Sequence, residues 1–99
     1  MGNFNIIEYI PVGRENAIKR SELRNLCGLS DREMRRAIEN ARKETPIINL
    51  SDGVGYYRPE TREEITRYIL QEKSRIKSIN ENIQAAIKTF NQIDGQLTL

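Results

Sequence analysis

From Ile65 onward, apolar residues recur in alternating steps of four and three. Ile69, Ile76, Ile83, Phe90 and Leu97 fall at one heptad position (a), and Ile65, Glu72, Ile79, Ala86 and Ile93 at the other (d). A repeat of this period lines up only along a long α-helix that presents one apolar stripe to another helix. Thr61-Arg62-Glu63-Glu64 has the form of a capping box and marks where that helix opens. The pattern predicts residues 61–99 as a C-terminal helix, separate from a domain over residues 1–60. Ile69, Ile76, Ile79, Ile83, Ala86, Ile87, Phe90 and Ile93 are its expected self-association residues. Isoleucine at a favours two strands, and isoleucine at d pulls toward higher orders. The stripe is polar only at Glu72, and Ile87 widens it. A homodimer or higher homo-oligomer is expected, or a protein partner held by the same helix. The chain has 99 residues, 30% charged and 37% hydrophobic, which would leave a wholly globular fold with a thin core.

The first 60 residues have a different order. Asn3 is placed to cap a short helix carrying Phe4, Ile6, Ile7 and Ile10, which Pro11 and Gly13 break. Residues 16–19 read as a short strand. Ser21 suits the N-cap of a helix holding Leu23, Leu26 and Cys27, and Gly28 stands where a helix end needs a left-handed residue. Ser30-Asp31-Arg32-Glu33 is a second capping box, and a helix should follow from Asp31 to about Lys43 with Met34, Ala37, Ile38 and Ala41 inward. Thr45-Pro46 ends it. Residues 47–50 and 56–58 read as two strands around the glycine-rich loop 51–55. Two helices joined by a tight turn and followed by a β-hairpin form the pattern of a winged helix-turn-helix. The expected fold class is therefore mainly α with a small β-hairpin wing, followed by the long, coiled-coil-forming helix.

Charge supports a nucleic-acid reading only locally. The formal net charge is +2, but from Arg20 to Lys43 seven basic residues stand against four acids. With the apolar face inward, Arg32, Arg36, Glu39 and Lys43 point outward, flanked by Arg35 and Asn40. Arginine offers a bidentate fork to guanine, and asparagine does the same for adenine. Arg24, Arg35 and Lys43 are placed to grip phosphates, which position a protein without reading sequence. Backbone N–H groups at the helix starts near Ser21 and Ser30 could receive a phosphate. Arg58 at the root of the hairpin is a further candidate, because the loop tip carries Asp52 and no base.

Several chemistries are excluded. One cysteine, Cys27, permits no internal disulfide, and the absence of histidine removes the usual zinc sites and histidine-based triads. No phosphate-binding loop is present, so no enzyme activity and no cofactor are expected. There is no long apolar run and no signal-peptide-like start, so no membrane partner is expected and the cytoplasm is the expected compartment.

Residues 18–60 resemble the winged-helix domain of small DNA-binding proteins from phages and prophages of Gram-positive bacteria. They are also similar to the N-terminal DNA-binding domain of biotin repressors. The resemblance rests on Ser21-Glu22-Leu23, Leu26-Cys27-Gly28-Leu29-Ser30, the segment 32–38, Pro46-Ile47-Ile48, Gly53-Val54-Gly55-Tyr56-Tyr57 and Pro59-Glu60. It implies that the second helix reads double-stranded DNA through Arg32, Arg35, Arg36 and Asn40. Val54 stands where such relatives often carry a basic residue between the wing's glycines. Nothing like a biotin ligase domain follows. The resemblance implies a regulator of transcription, replication or excision acting as a dimer. The same elements would also serve an adaptor that recruits a replication or host-defence complex.

Overall fold

Pro11 decides how the chain begins. A residue before proline is driven out of the helical region, and Ile10 is extended at φ −97°, ψ 116°. The expected first helix therefore shrinks to one 3-10 turn, Ile6–Tyr9, capped by the Asn5 side chain, which accepts from Ile7 N–H at 3.1 Å. A computed structural model of the chain describes residues 4–94, so the Asn3 cap and Leu97 of the heptad series lie outside the described residues. Ile6 and Ile10 are buried. Residues 16–19 do not form a strand. A second 3-10 turn, Arg14–Asn16, precedes a single antiparallel bridge from Ile18 to Tyr56, with N–H···O distances of 2.9 and 2.8 Å.

That bridge fixes where the first α-helix starts. Helix α1 runs Arg20–Cys27, two residues earlier than a Ser21 cap would place it. Lys19 is its N-cap and makes no side-chain capping bond, while Ser21 lies inside the first turn. Leu23 is fully buried and Cys27 partly so, whereas Leu26 is 61% exposed and belongs to the outer face rather than the core. Burial pushes the Cys27 thiol up, which suits an unreactive packing residue. Gly28 ends α1 in the left-handed region at φ 67°, its N–H bonded to the Arg24 carbonyl at 2.9 Å.

Helix α2 runs Asp31–Ala41 and starts from the expected capping box. Glu33 N–H donates to Ser30 Oγ at 3.2 Å, and Ser30 N–H donates to Glu33 Oε1 at 2.9 Å. Met34 and Ile38 are buried and Ala37 and Ala41 half-buried. The helix stops at Ala41, short of Lys43. Pro46 denies helical backbone to Thr45, and residues 42–44 close in tight turns instead. Helices α1 and α2 pack on each other and on the Ile6–Tyr9 turn. Their shared core is Ile6, Ile10, Leu23, Met34, Ile38, Ile47 and Tyr56.

The expected β-hairpin wing is not formed. The segment 56–58 makes three isolated bridges, to Ile18 and Ile48 antiparallel and from Arg58 to Val12 parallel, and no ladder extends from any of them. Pro46 and Pro59 cannot donate at the outer ends, and Gly53 (φ 80°) and Gly55 (φ 112°) turn the chain away from extended geometry. A side chain at Gly55 would also run into the Ile18 carbonyl. The loop is held by side chains instead of a ladder.

Helix α3, Arg62–Asp94, is 33 residues long, about 50 Å of axis. Thr61 Oγ1 accepts from Glu64 N–H at 3.2 Å. The reciprocal bond of the box shifts by one residue: Glu64 Oε1 accepts from Glu60 N–H at 2.8 Å, and its Oε2 from Arg14 N–H at 3.2 Å. By internal packing the chain divides into two units, one ending at Tyr68 and one beginning at Ile69. The described part of the second unit, residues 69–94, is helix, and Arg75 pairs with Glu72 along it at 3.1 Å.

Candidate nucleic-acid interface

Helix α2 owes its orientation to two buried residues one turn apart, Met34 and Ile38. At about 100° per residue, the opposite face carries Arg32, Arg36 and Glu39, with Arg35 and Asn40 at its margins. All five are exposed. Lys43 is exposed too, but stands in the turn after the helix. Asn40 also borders a shallow groove with Phe4, Ile7, Ala37 and Glu44.

The electrostatics divide these cations into two groups. Asp31, at the start of α2, receives Arg20 from α1 through both carboxylate oxygens, with Nε to Oδ1 at 2.7 Å. Arg35 reaches the same carboxylate from one turn on, at 3.5 Å. The Arg20 hydrogen bond holds the Asp31 carboxyl below the usual carboxylate range and raises Arg20. Arg24, Arg32, Arg36 and Lys43 make no ion pair among the described residues. These four are the cations left to meet an anionic partner.

The two helix starts also differ. At α2 the Ser30 hydroxyl and the Glu33 carboxylate fill the N-terminus, and the bond from Ser30 N–H keeps the Glu33 carboxyl below its ordinary range. A phosphate would meet a carboxylate there. At α1 no side chain caps the first turn, and Lys19, Arg20, Ser21 and Arg24 line a shallow basic recess. Arg58 is half-buried and drawn inward, its Nε donating to the Ile10 carbonyl at 2.8 Å. Its position is that of a strut.

Two basic residues outside the expected set enter the picture. Arg14 pairs with Asp52 at 2.5 Å, and Lys19 Nζ donates to the Gly53 carbonyl at 2.5 Å. The Arg14 hydrogen bond holds the Asp52 carboxyl below its usual range. The buried Tyr57 hydroxyl lies beside Arg14. Arg14 and Asp52 stand 38 positions apart, so no local motif announces the pair.

On α3, Ile69, Ile76, Ile79, Ile83, Phe90 and Ile93 are 39% to 73% exposed, Ala86 is exposed and Ile87 half-buried. Together they form an apolar stripe that is largely exposed along the helix. No group of residues suited to hold a metal ion occurs among the described residues. No helix among them is long and apolar enough to cross a membrane. Compared with family models, curated proteins and solved structures, the chain matches none.

Proposed function

We propose that the protein is a sequence-specific double-stranded DNA-binding protein that acts as a dimer. Its role would be of the phage or prophage type, in transcription, replication or excision. One observation carries the reading. A short helix, a left-handed glycine and a box-capped second helix present Arg32 and Arg36, uncommitted to any acid, on an exposed face. In a helix-turn-helix the second helix enters the major groove, where Arg32 and Arg36 would read guanine and Asn40 adenine. Arg24 and Lys43 would bind backbone phosphates, with Arg35 steadied by Asp31. Glu39 lies among these cations and would oppose indiscriminate phosphate binding.

The exposed α3 stripe would supply the second half. A second copy would cover it, and a two-fold dimer would read an inverted repeat, with avidity compensating for a modestly charged reader. Selection from a random duplex pool tests the reading. It should yield an inverted repeat, and Arg36→Ala should lose that preference while keeping the helical spectrum of the parent.

A second reading is favoured by the commitment of Ser30 and Arg58 to the scaffold and by the lack of a paired wing. In it the N-terminal unit binds protein and α3 recruits a replication or host-defence complex. Absence of duplex binding at low salt would select that reading.

A further inference from the structure

Arg14 and Lys19 lie outside α1 and α2, yet both reach the loop that follows Ile48. Asp52 is the only charged residue between positions 49 and 55. Its Oδ1 accepts from Val54 N–H at 3.3 Å, and this local turn aims Oδ2 at Arg14, 2.5 Å away. Lys19 meanwhile donates to the neighbouring Gly53 carbonyl and lines the recess that holds Arg24. The loop tip thus offers one carboxylate and one carbonyl to two cations. Of the two, Lys19 shares that recess with Arg24, the residue assigned above to a phosphate.

We propose that Arg14 and Lys19 are two further ligands for the DNA backbone, and that Asp52 is an internal anion occupying Arg14, with the Gly53 carbonyl holding Lys19, until a phosphate displaces them. The inference rests on the DNA-binding reading. A guanidinium pairs with carboxylate and with phosphate through the same fork of N–H donors, so one replaces the other without rebuilding the site. The Arg14 and Asp52 side chains are each 35% exposed, and ion pairs at such positions are weak. Duplex DNA presents about one negative charge per 1.7 Å of axis, which outweighs a single surface carboxylate. The latch sets a threshold: isolated anions leave it closed, and the dense charge of a duplex opens it.

Asp52→Asn tests this, because asparagine keeps the Oδ1 acceptor for Val54 and loses the charge and the Oδ2 acceptor that hold Arg14. Binding of the full chain to a mixed-sequence duplex is followed by fluorescence anisotropy from about 50 to 200 mM salt, a span over which phosphate contacts are strongly weakened. Asp52→Asn should bind severalfold tighter at low salt. Arg14→Gln with Lys19→Gln should bind more weakly, with the salt slope reduced by up to about 2, roughly 0.9 per lost phosphate contact. Arg14→Lys with Lys19→Arg should restore the slope. In the double-glutamine background, Asp52→Asn should change nothing.

An equal gain from Asp52→Asn in both backgrounds would show that it acts through net charge alone and would overturn the latch. An unchanged slope in the double-glutamine variant would overturn the role of the two cations. A parent that binds while every variant matches it removes the latch and leaves the DNA reading standing. A parent that binds no duplex removes both.

Discussion

The N-terminal unit and the α3 stripe use similar apolar residues with opposite results. In the first, Leu23, Met34 and Ile38 meet Ile6, Ile10, Ile47 and Tyr56 within the chain. In the second, Ile69, Ile76, Ile79, Ile83 and Ile93 stay 42% to 73% exposed. Both patterns are strongly periodic. The difference lies in what stands opposite each apolar face. Periodicity tells which face is sticky, and the structure tells which face has already been satisfied. In the proposed reading an apolar stripe this long would meet a second copy, and the exposed cations of α2 would stand in the same relation to an anion.

The largest effects should separate these regions most sharply. Gly55→Ala places a side chain at φ 112° against the Ile18 carbonyl and should abolish folding of the N-terminal unit, read by loss of cooperative unfolding. Leu23→Ala or Met34→Ala should cost about 2–5 kcal/mol in chemical denaturation, as large-to-small core changes do. Ile79→Ala should leave the unfolding of the dilute protein unchanged and weaken only what depends on concentration. If Ile79→Ala proved as costly as Leu23→Ala at high dilution, the stripe would be part of the chain's own core and the comparison would collapse.

Ile76→Asp with Ile83→Asp should yield a folded monomer by light scattering, because two charges then interrupt the stripe. A variant that stays oligomeric would place association elsewhere. Ser30→Ala, which removes one half of the capping box, should cost about 1 kcal/mol in thermal unfolding.

The smallest effect concerns pH. Asp31, Glu33 and Asp52 are all held below their ordinary range in the folded chain. Each therefore adds stability that is full above the ordinary carboxylate range, near pH 4, and fades as pH falls through the folded value. Thermal unfolding should drop on acidification. Asp31→Asn should flatten the drop slightly, since all three sites are largely solvated and their pairs screened.

Much of the N-terminal unit was legible because its signals are local. Gly28 and the Ser30–Glu33 box announce their roles within four residues of chain, and Met34 with Ile38 announces the inner face of α2. Where the reading missed, a distant partner decided. The Ile18–Tyr56 bridge moved the start of α1 to Arg20 and left Ser21 inside the helix. The segment 56–58 is shared among three partners, so the strand signals at 47–50 and 56–58 did not become a hairpin. Arg58 was spent on the Ile10 carbonyl, and Asp31 bound Arg20 from the other helix. The outward face of α2 was readable from spacing. Which of its cations remain available was not, because that depends on acids contributed from elsewhere.

The most direct measurement is an NMR titration of the isotope-labelled chain with a selected duplex. The account predicts shifts concentrated at Arg32, Arg36, Glu39 and Asn40, with smaller ones at Lys19, Arg24 and Lys43, while Ile76 to Ile93 stay unmoved. Shifts confined to the α3 stripe, or none at low salt, would contradict it.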